Sequence, residues 1–152
     1  MQITLIAVGK LKSGPLKDLC DEYLKRLNWQ VSLIEIDHKS KLEGDALKSY
    51  EGQEIQKHLP SPSYVIAMDE RGDNMSSPEL ADLLGDIQNH HQGKLTLIIG
   101  GADGLDPQIR KFANKIISMG RLTWPHMLAR VMLLEQLYRA QQILKGHPYH
   151  RA

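Results

Sequence analysis

At 152 residues, 41% of them hydrophobic, the chain is long enough for one sizeable core and matches the size of one domain, while a lone cysteine, Cys20, excludes an internal disulfide. A net charge of +1 argues against a generic nucleic-acid binder, yet residues 107–151 carry eight Lys or Arg against one acid, Glu135, and the remainder eleven against seventeen. That polarity makes a local anionic partner the expectation, with helices merely solvated by basic side chains as the alternative. No run approaches the ~20 apolar residues of a membrane span, and the N-terminus has no basic stretch or cleavage site, so a soluble cytoplasmic chain is expected.

Five short apolar runs read as strands, at residues 3–8, 31–36, 64–68, 95–99 and, less regularly, 116–123. Between them lie helical stretches. Pro15 opens the first, which ends near Leu27; its stripe of Leu16, Leu19, Cys20, Tyr23, Leu24 and Leu27 marks Cys20 as a core residue. The polar stretch 37–44 reads as a mobile surface loop, and residues 45–58 as a second helix. Ser76, Ser77, Pro78 and Glu79 cap a third that runs to about residue 91, Asp106 and Pro107 open a fourth, and Pro125 begins a fifth. Strands alternating with helices predict an α/β fold with a mostly parallel sheet flanked by helices, in one domain spanning 1–152.

In such a sheet ligands gather beyond the carboxyl ends of the strands. The fourth strand ends in "TLIIGGADGL", where paired glycines surrender side chains so that backbone turns sharply or comes close to something. The order does not fit G-x-G-x-x-G, and no Gly-Lys-Ser/Thr follows, so a phosphate loop is not indicated. Asp69, Glu70 and Asp103 stand at strand ends where they can meet. Gly120 falls inside the fifth strand pattern, which suggests close approach of a backbone or ligand. The fifth helix is apolar over more than one face, predicting a homodimer, with burial inside the monomer as the alternative. After Gly146 comes His147-Pro148-Tyr149-His150-Arg151-Ala152. Two histidines three apart with proline between them make a poor metal site, so no metal is expected. Imidazole, phenol and guanidinium together suit base stacking, phosphate contact and proton transfer, a disordered tail being the competing reading. No G-x-S-x-G or H-E-x-x-H occurs, which disfavours hydrolases.

Taken together, "LIAVGK", "YLKRL", "AMDERG", "SSPELA", "LIIGGADGL", "LTWPHMLARVMLLEQLYRA" and "HPYHR" resemble the RlmH family of bacterial ribosomal RNA methyltransferases, of the SPOUT class, over essentially the whole chain. The resemblance implies a C-terminal trefoil knot and N3-methylation of a pseudouridine in 23S ribosomal RNA on the ribosome, with S-adenosylmethionine as methyl donor. By matching position it implies that Met68, Gly100, Gly101, Gly120, Arg121, Leu122, Thr123, Trp124 and Pro125 hold the donor, although Arg121 and Trp124 are bulkier than the resemblance leads one to expect. It further implies a catalytic role for His150 in handling the imide proton or orienting the base, with Tyr149 stacking and Arg151 beside them. Arg130, Arg139 and His147 would contact RNA, with Glu135 anchoring the two arginines. A non-catalytic RNA-binding module of the same fold, and a flavodoxin-type nucleotide binder, remain as alternatives.

Overall fold

The computed structural model describes residues 1–37 and 41–151. In chain order its elements are β1 (Gln2–Val8), α1 (Pro15–Arg26), β2 (Gln30–Ile36), α2 (Gly44–Lys57), β3 (Tyr64–Asn74), α3 (Ser77–His90), β4 (Lys94–Ile99), α4 (Pro107–Phe112), β5 (Lys115–Ser118) and α5 (His126–Leu144). The strands form one sheet in the order β2-β1-β4-β3-β5, and every ladder is parallel. Parallel strands need both faces covered, which is why the central strands read as unbroken apolar runs. The strand period of two divides them between faces. Ile3, Leu5 and Ala7 of β1 join α1, α3 and α5 in one core, while Ile6 and Val8 join Ile55 of α2 and Ile109 of α4 in the other.

Local chemistry sets the helix ends. Ser76 accepts from the Glu79 amide while Glu79 accepts from the Ser76 amide, a reciprocal cap that satisfies two otherwise orphaned donors. Asp106 caps α4 through the Gln108 amide. Gly146, at φ +66°, ends α5 by donating to the Ile143 carbonyl, and the His147 amide donates to Gln142. Cys20 lies buried on the inner stripe of α1, where burial pushes its thiol pKa up.

Two strand ends differ from the sequence reading. β3 continues to Asn74, because Met68 and Asp73 both pair with Ile117 and the residues between them loop out before the strand rejoins the ladder. β5 stops at Ser118, and Gly120 lies beyond it at φ +100°, a left-handed conformation that cannot prolong a strand. The apolar breadth of α5 also has a largely internal answer: it packs against both α1 and α3, and Val131, Leu133, Leu134, Leu137 and Ala140 are buried within the chain. Of the loop expected at 37–44, residues 38–40 lie outside the described residues, and Gly44 already belongs to α2.

Candidate active site

Beyond the carboxyl ends of β3, β4 and β5 lies a cavity of about 300 Å³, at the lower end of the ~300–1,000 Å³ typical of small-molecule sites. Its walls are the looped-out segment of β3, the turn 100–105 after β4, the segment 118–124 after β5, and the first turn of α5. Met68, Gly100, Gly101, Gly120, Leu122, Thr123 and Trp124 all line it. Arg121 and Pro125 are exposed and not among its walls. Asp69, Glu70 and Asp103 all line it as well.

The glycine turn has an unexpected second neighbour. A Cβ on Gly101 would stand 3.0 Å from each carboxylate oxygen of Glu51 and 3.1 Å from Val8 Cγ1. Glu51 is a buried residue of α2, so this glycine is bare on its inner side to seat a helix against the turn, while its backbone faces the cavity. Gly120 is different. Its positive φ is what the loop needs, and the space where a Cβ would stand is open. Trp124 donates its indole N–H to the Met119 carbonyl at 3.2 Å, which fixes the ring at the cavity rim and accommodates its bulk.

The sequence reading passed over several cavity residues. Arg110, in the last turn of α4, pairs with Asp69 at 3.2 Å, and the Asp69 carboxylate also accepts from the Arg71 amide at 3.0 Å. Lys48 enters from α2 and His126 from α5. Burial is the main influence lowering the His126 pKa, Arg130 adds to it and Glu51 opposes it, so the imidazole is neutral near pH 7. The strand-helix junction was the available signal, since His126 directly follows Pro125. Among the described residues, no group of three or more His, Cys, Asp or Glu side chains is arranged to hold a metal ion.

A family model described as a predicted SPOUT methyltransferase matches residues 1–150. The chain belongs to the SPOUT methyltransferases. It is 43% identical over 152 residues to the ribosomal RNA large subunit methyltransferase H of Rhodospirillum centenum, with 100% of both chains covered. It is likewise 43% identical over 160 residues to the protein of that name from Allorhizobium ampelinum, again with 100% of both covered. A probable methylase family protein from Haemophilus influenzae Rd KW20 shares the fold, with a TM-score of 0.58 at 16% identity over 99% of this chain and 70% of that one.

This SPOUT methyltransferase has a second, larger cavity of about 610 Å³, mostly apolar, between α1, α3, α5 and the sheet. Met68, Ile117, Ser118, Met119 and Gly120 line both cavities and so form a common wall.

The tail lies against α5. Tyr149 donates its hydroxyl to Glu135 at 3.1 Å, meets Tyr138 edge-on at 4.9 Å, and carries the Arg139 guanidinium over its ring at 4.9 Å. Arg139 is paired with Glu135 at 2.5 Å and stands 3.5 Å from His150 Nδ1. His147 and Arg151 are exposed, and among the described residues no part of the tail lines the 300 Å³ cavity. Arg130 departs from expectation. Its side chain is 0% exposed and its partner is Glu35, not Glu135, so no phosphate reaches it in this structure. Glu135 anchors Arg139 alone.

Burial first, then the Glu135 carboxylate and their hydrogen bond, push the Tyr149 phenol up to about 12. It therefore stays protonated at physiological pH and serves as a donor or a stacking surface, not as a base. In an ultraviolet titration of the five tyrosines, one should ionise well above pH 10, and Tyr149→Phe should remove that late step. A variant titration matching the parent would place the late step elsewhere.

Proposed function

We propose that this SPOUT methyltransferase transfers a methyl group from S-adenosylmethionine to N3 of a pseudouridine in 23S ribosomal RNA, on the ribosome. One observation carries the reading. The cavity at the strand ends is walled by a glycine turn and an irregular segment whose backbone can approach a ligand closely, in a chain 43% identical over its whole length to proteins named for large-subunit ribosomal RNA methylation. The residues present fit the donor. Apolar Met68 and Leu122 suit an adenine face, Trp124 offers an aromatic edge, and the mixed charges of Lys48, Arg71, Asp69 and Asp103 suit an amino-acid moiety and ribose hydroxyls.

When bound, S-adenosylmethionine would supply a methyl group on a sulfonium. The chain's part is to position and to move one proton. The glycine turn and the segment after β5 hold the donor, and proximity of this kind contributes a large share of rate acceleration. The nucleophilic N3 must lose its imide proton as the new N–C bond forms, and His150 is the group we assign to receive it or to orient the base, with Tyr149 stacking. Arg151 and His147, both exposed, contact phosphate.

Among the described residues of one chain, tail and cavity do not meet, which supports action as a homodimer, and a ribosomal substrate would place that action in the cytoplasm. The larger cavity, lined by Leu19 at 41% exposure, offers apolar surface for a second copy. A C-terminal trefoil knot belongs to the same proposal, supported by membership of the SPOUT family and by the packing of α5, which follows the edge strand β5, against both α1 and α3. None of the helices is long and apolar enough to cross a membrane among the described residues.

Three measurements test this reading. Mass-spectrometric mapping of ribosomal RNA from cells with and without the protein should reveal one methyl lost from a pseudouridine. Calorimetry should detect S-adenosylmethionine binding. Unaltered RNA together with no donor binding would favour the RNA-binding module instead. Sedimentation should give twice the chain mass, and a monomer at tens of micromolar would remove the dimer.

A further inference from the structure

Away from the reacting groups, the first half of α5 is tied to the opposite end of the chain by a buried charge. Arg130 is wholly buried, and its guanidinium donates to Glu35 Oε1 at 2.5 Å and to the Gly9 carbonyl at 2.8 Å. The same oxygen of Glu35 accepts the Leu11 amide at 2.8 Å. Three separate pieces of chain therefore converge on one ion pair: the loop after β1, the end of β2 and α5. Gly9 closes the contact. It sits at φ +85°, and a Cβ there would stand 2.8 Å from the Met127 side chain and 3.2 Å from His126 Nε2.

Arg130 is fully buried while the Glu35 side chain keeps 23% exposure, and the burial of the guanidinium is costly, since a charge taken from water regains only part of its solvation from its partner. Replacing such a pair by apolar residues of similar volume is often neutral or stabilising, so stability alone gives little reason to keep it. What the pair does supply is a fixed register. A guanidinium fork accepts few geometries, whereas apolar side chains slide. One turn before Arg130 stands His126 and one residue before it Ala129, both walls of the smaller cavity, and the segment leading into α5 contributes Leu122, Thr123 and Trp124.

We propose that Arg130 and Glu35 are positioning residues that set the register of α5 and, through it, the placement of the donor-pocket wall formed by residues 122–124, 126 and 129. The proposal rests on the donor reading of that cavity. Neither residue touches the ligand; each acts through the backbone of the wall.

The full-length protein is tested by calorimetry with S-adenosylmethionine, at a temperature well below each variant's unfolding midpoint. Exchanging the pair for apolar residues, Glu35→Leu with Arg130→Met, should leave the unfolding midpoint at or above that of the parent but weaken donor affinity by about tenfold or more, the scale expected when a binding wall is misplaced. Parental affinity in that double variant overturns the proposal. If the double variant does not fold, Glu35→Gln decides, because it keeps an acceptor for the Leu11 amide and removes only the charge. Its control is Ile87→Val on α3, which trims a buried side chain away from both cavities. Weaker donor affinity in Glu35→Gln than in an equally destabilised Ile87→Val supports positioning, and equal affinity overturns it. Failure of the parent itself to bind the donor would instead remove the donor reading, and this proposal with it.

Discussion

Removal of residues 147–152 is expected to abolish methyl transfer to ribosomes while donor affinity stays within about twofold of the parent. The tail touches the rest of the chain through a few contacts, chiefly Tyr149 on Tyr138 and on Glu135, and the Glu135–Arg139 pair survives its loss. The stability cost should be about 2 kcal/mol, the worth of one aromatic contact, one cation–π contact and one part-buried hydrogen bond. Donor affinity is spared because among the described residues no part of the tail lines the smaller cavity. Single changes then separate the roles. Arg151→Ala should weaken ribosome binding and make its salt dependence shallower, having removed one phosphate contact. His150→Ala should lower the single-turnover rate at saturating ribosome by about 10²- to 10⁴-fold if it handles the proton. A truncated protein that methylates at the parental rate would move the search for that group to Glu135 and Arg139.

Gly101→Val is expected to cost the protein both its donor and part of its stability. Read from sequence, the substitution only fills a ligand-facing gap and leaves a folded protein. The structure adds the inner side, where the first carbon of the new side chain already crowds both oxygens of Glu51 at 3.0 Å. Overpacking of this kind costs about 1–3 kcal/mol, so the denaturation midpoint should fall together with donor affinity. Gly120→Ala is the contrast, because nothing lies within 4 Å of its Cβ and only the φ of +100° opposes it. Its penalty should be about 1–2 kcal/mol of backbone strain. Parental stability in Gly101→Val would contradict the close seating of α2 beneath the turn.

The fold was legible because its signals are local. Capping residues stand at 76 and 106, prolines at 15 and 125, and apolar runs mark doubly covered strands, so ten elements emerge near their observed positions. What escaped was register and reach. Nothing in the pattern around Met68 says that the strand rejoins its ladder at Asp73, because that depends on Ile117 being free to pair with both. Of the candidate site, the glycine turn and the segment around Gly120 were readable from residues that abandon side chains. Arg130 was not, because an arginine on an apolar helix looks the same whether it snorkels to water or meets a carboxylate 95 residues away. Lys48 reaches the cavity from α2 by tertiary packing, which no spacing along the chain encodes.

The common wall between the two cavities carries a consequence for mutational tolerance. Met68, Ile117, Ser118, Met119 and Gly120 each answer to two volumes at once, so a change of size that suits one side alters the other. Conservative exchanges that a one-sided core position absorbs, such as Leu for Met68 or Val for Ile117, change both volumes here. In a saturation screen Met68, Ile117, Ser118 and Met119 should therefore accept fewer residues than fully buried neighbours such as Leu84, a restriction of shape, whereas Gly120, with open space where a Cβ would stand, is held by its φ of +100° alone.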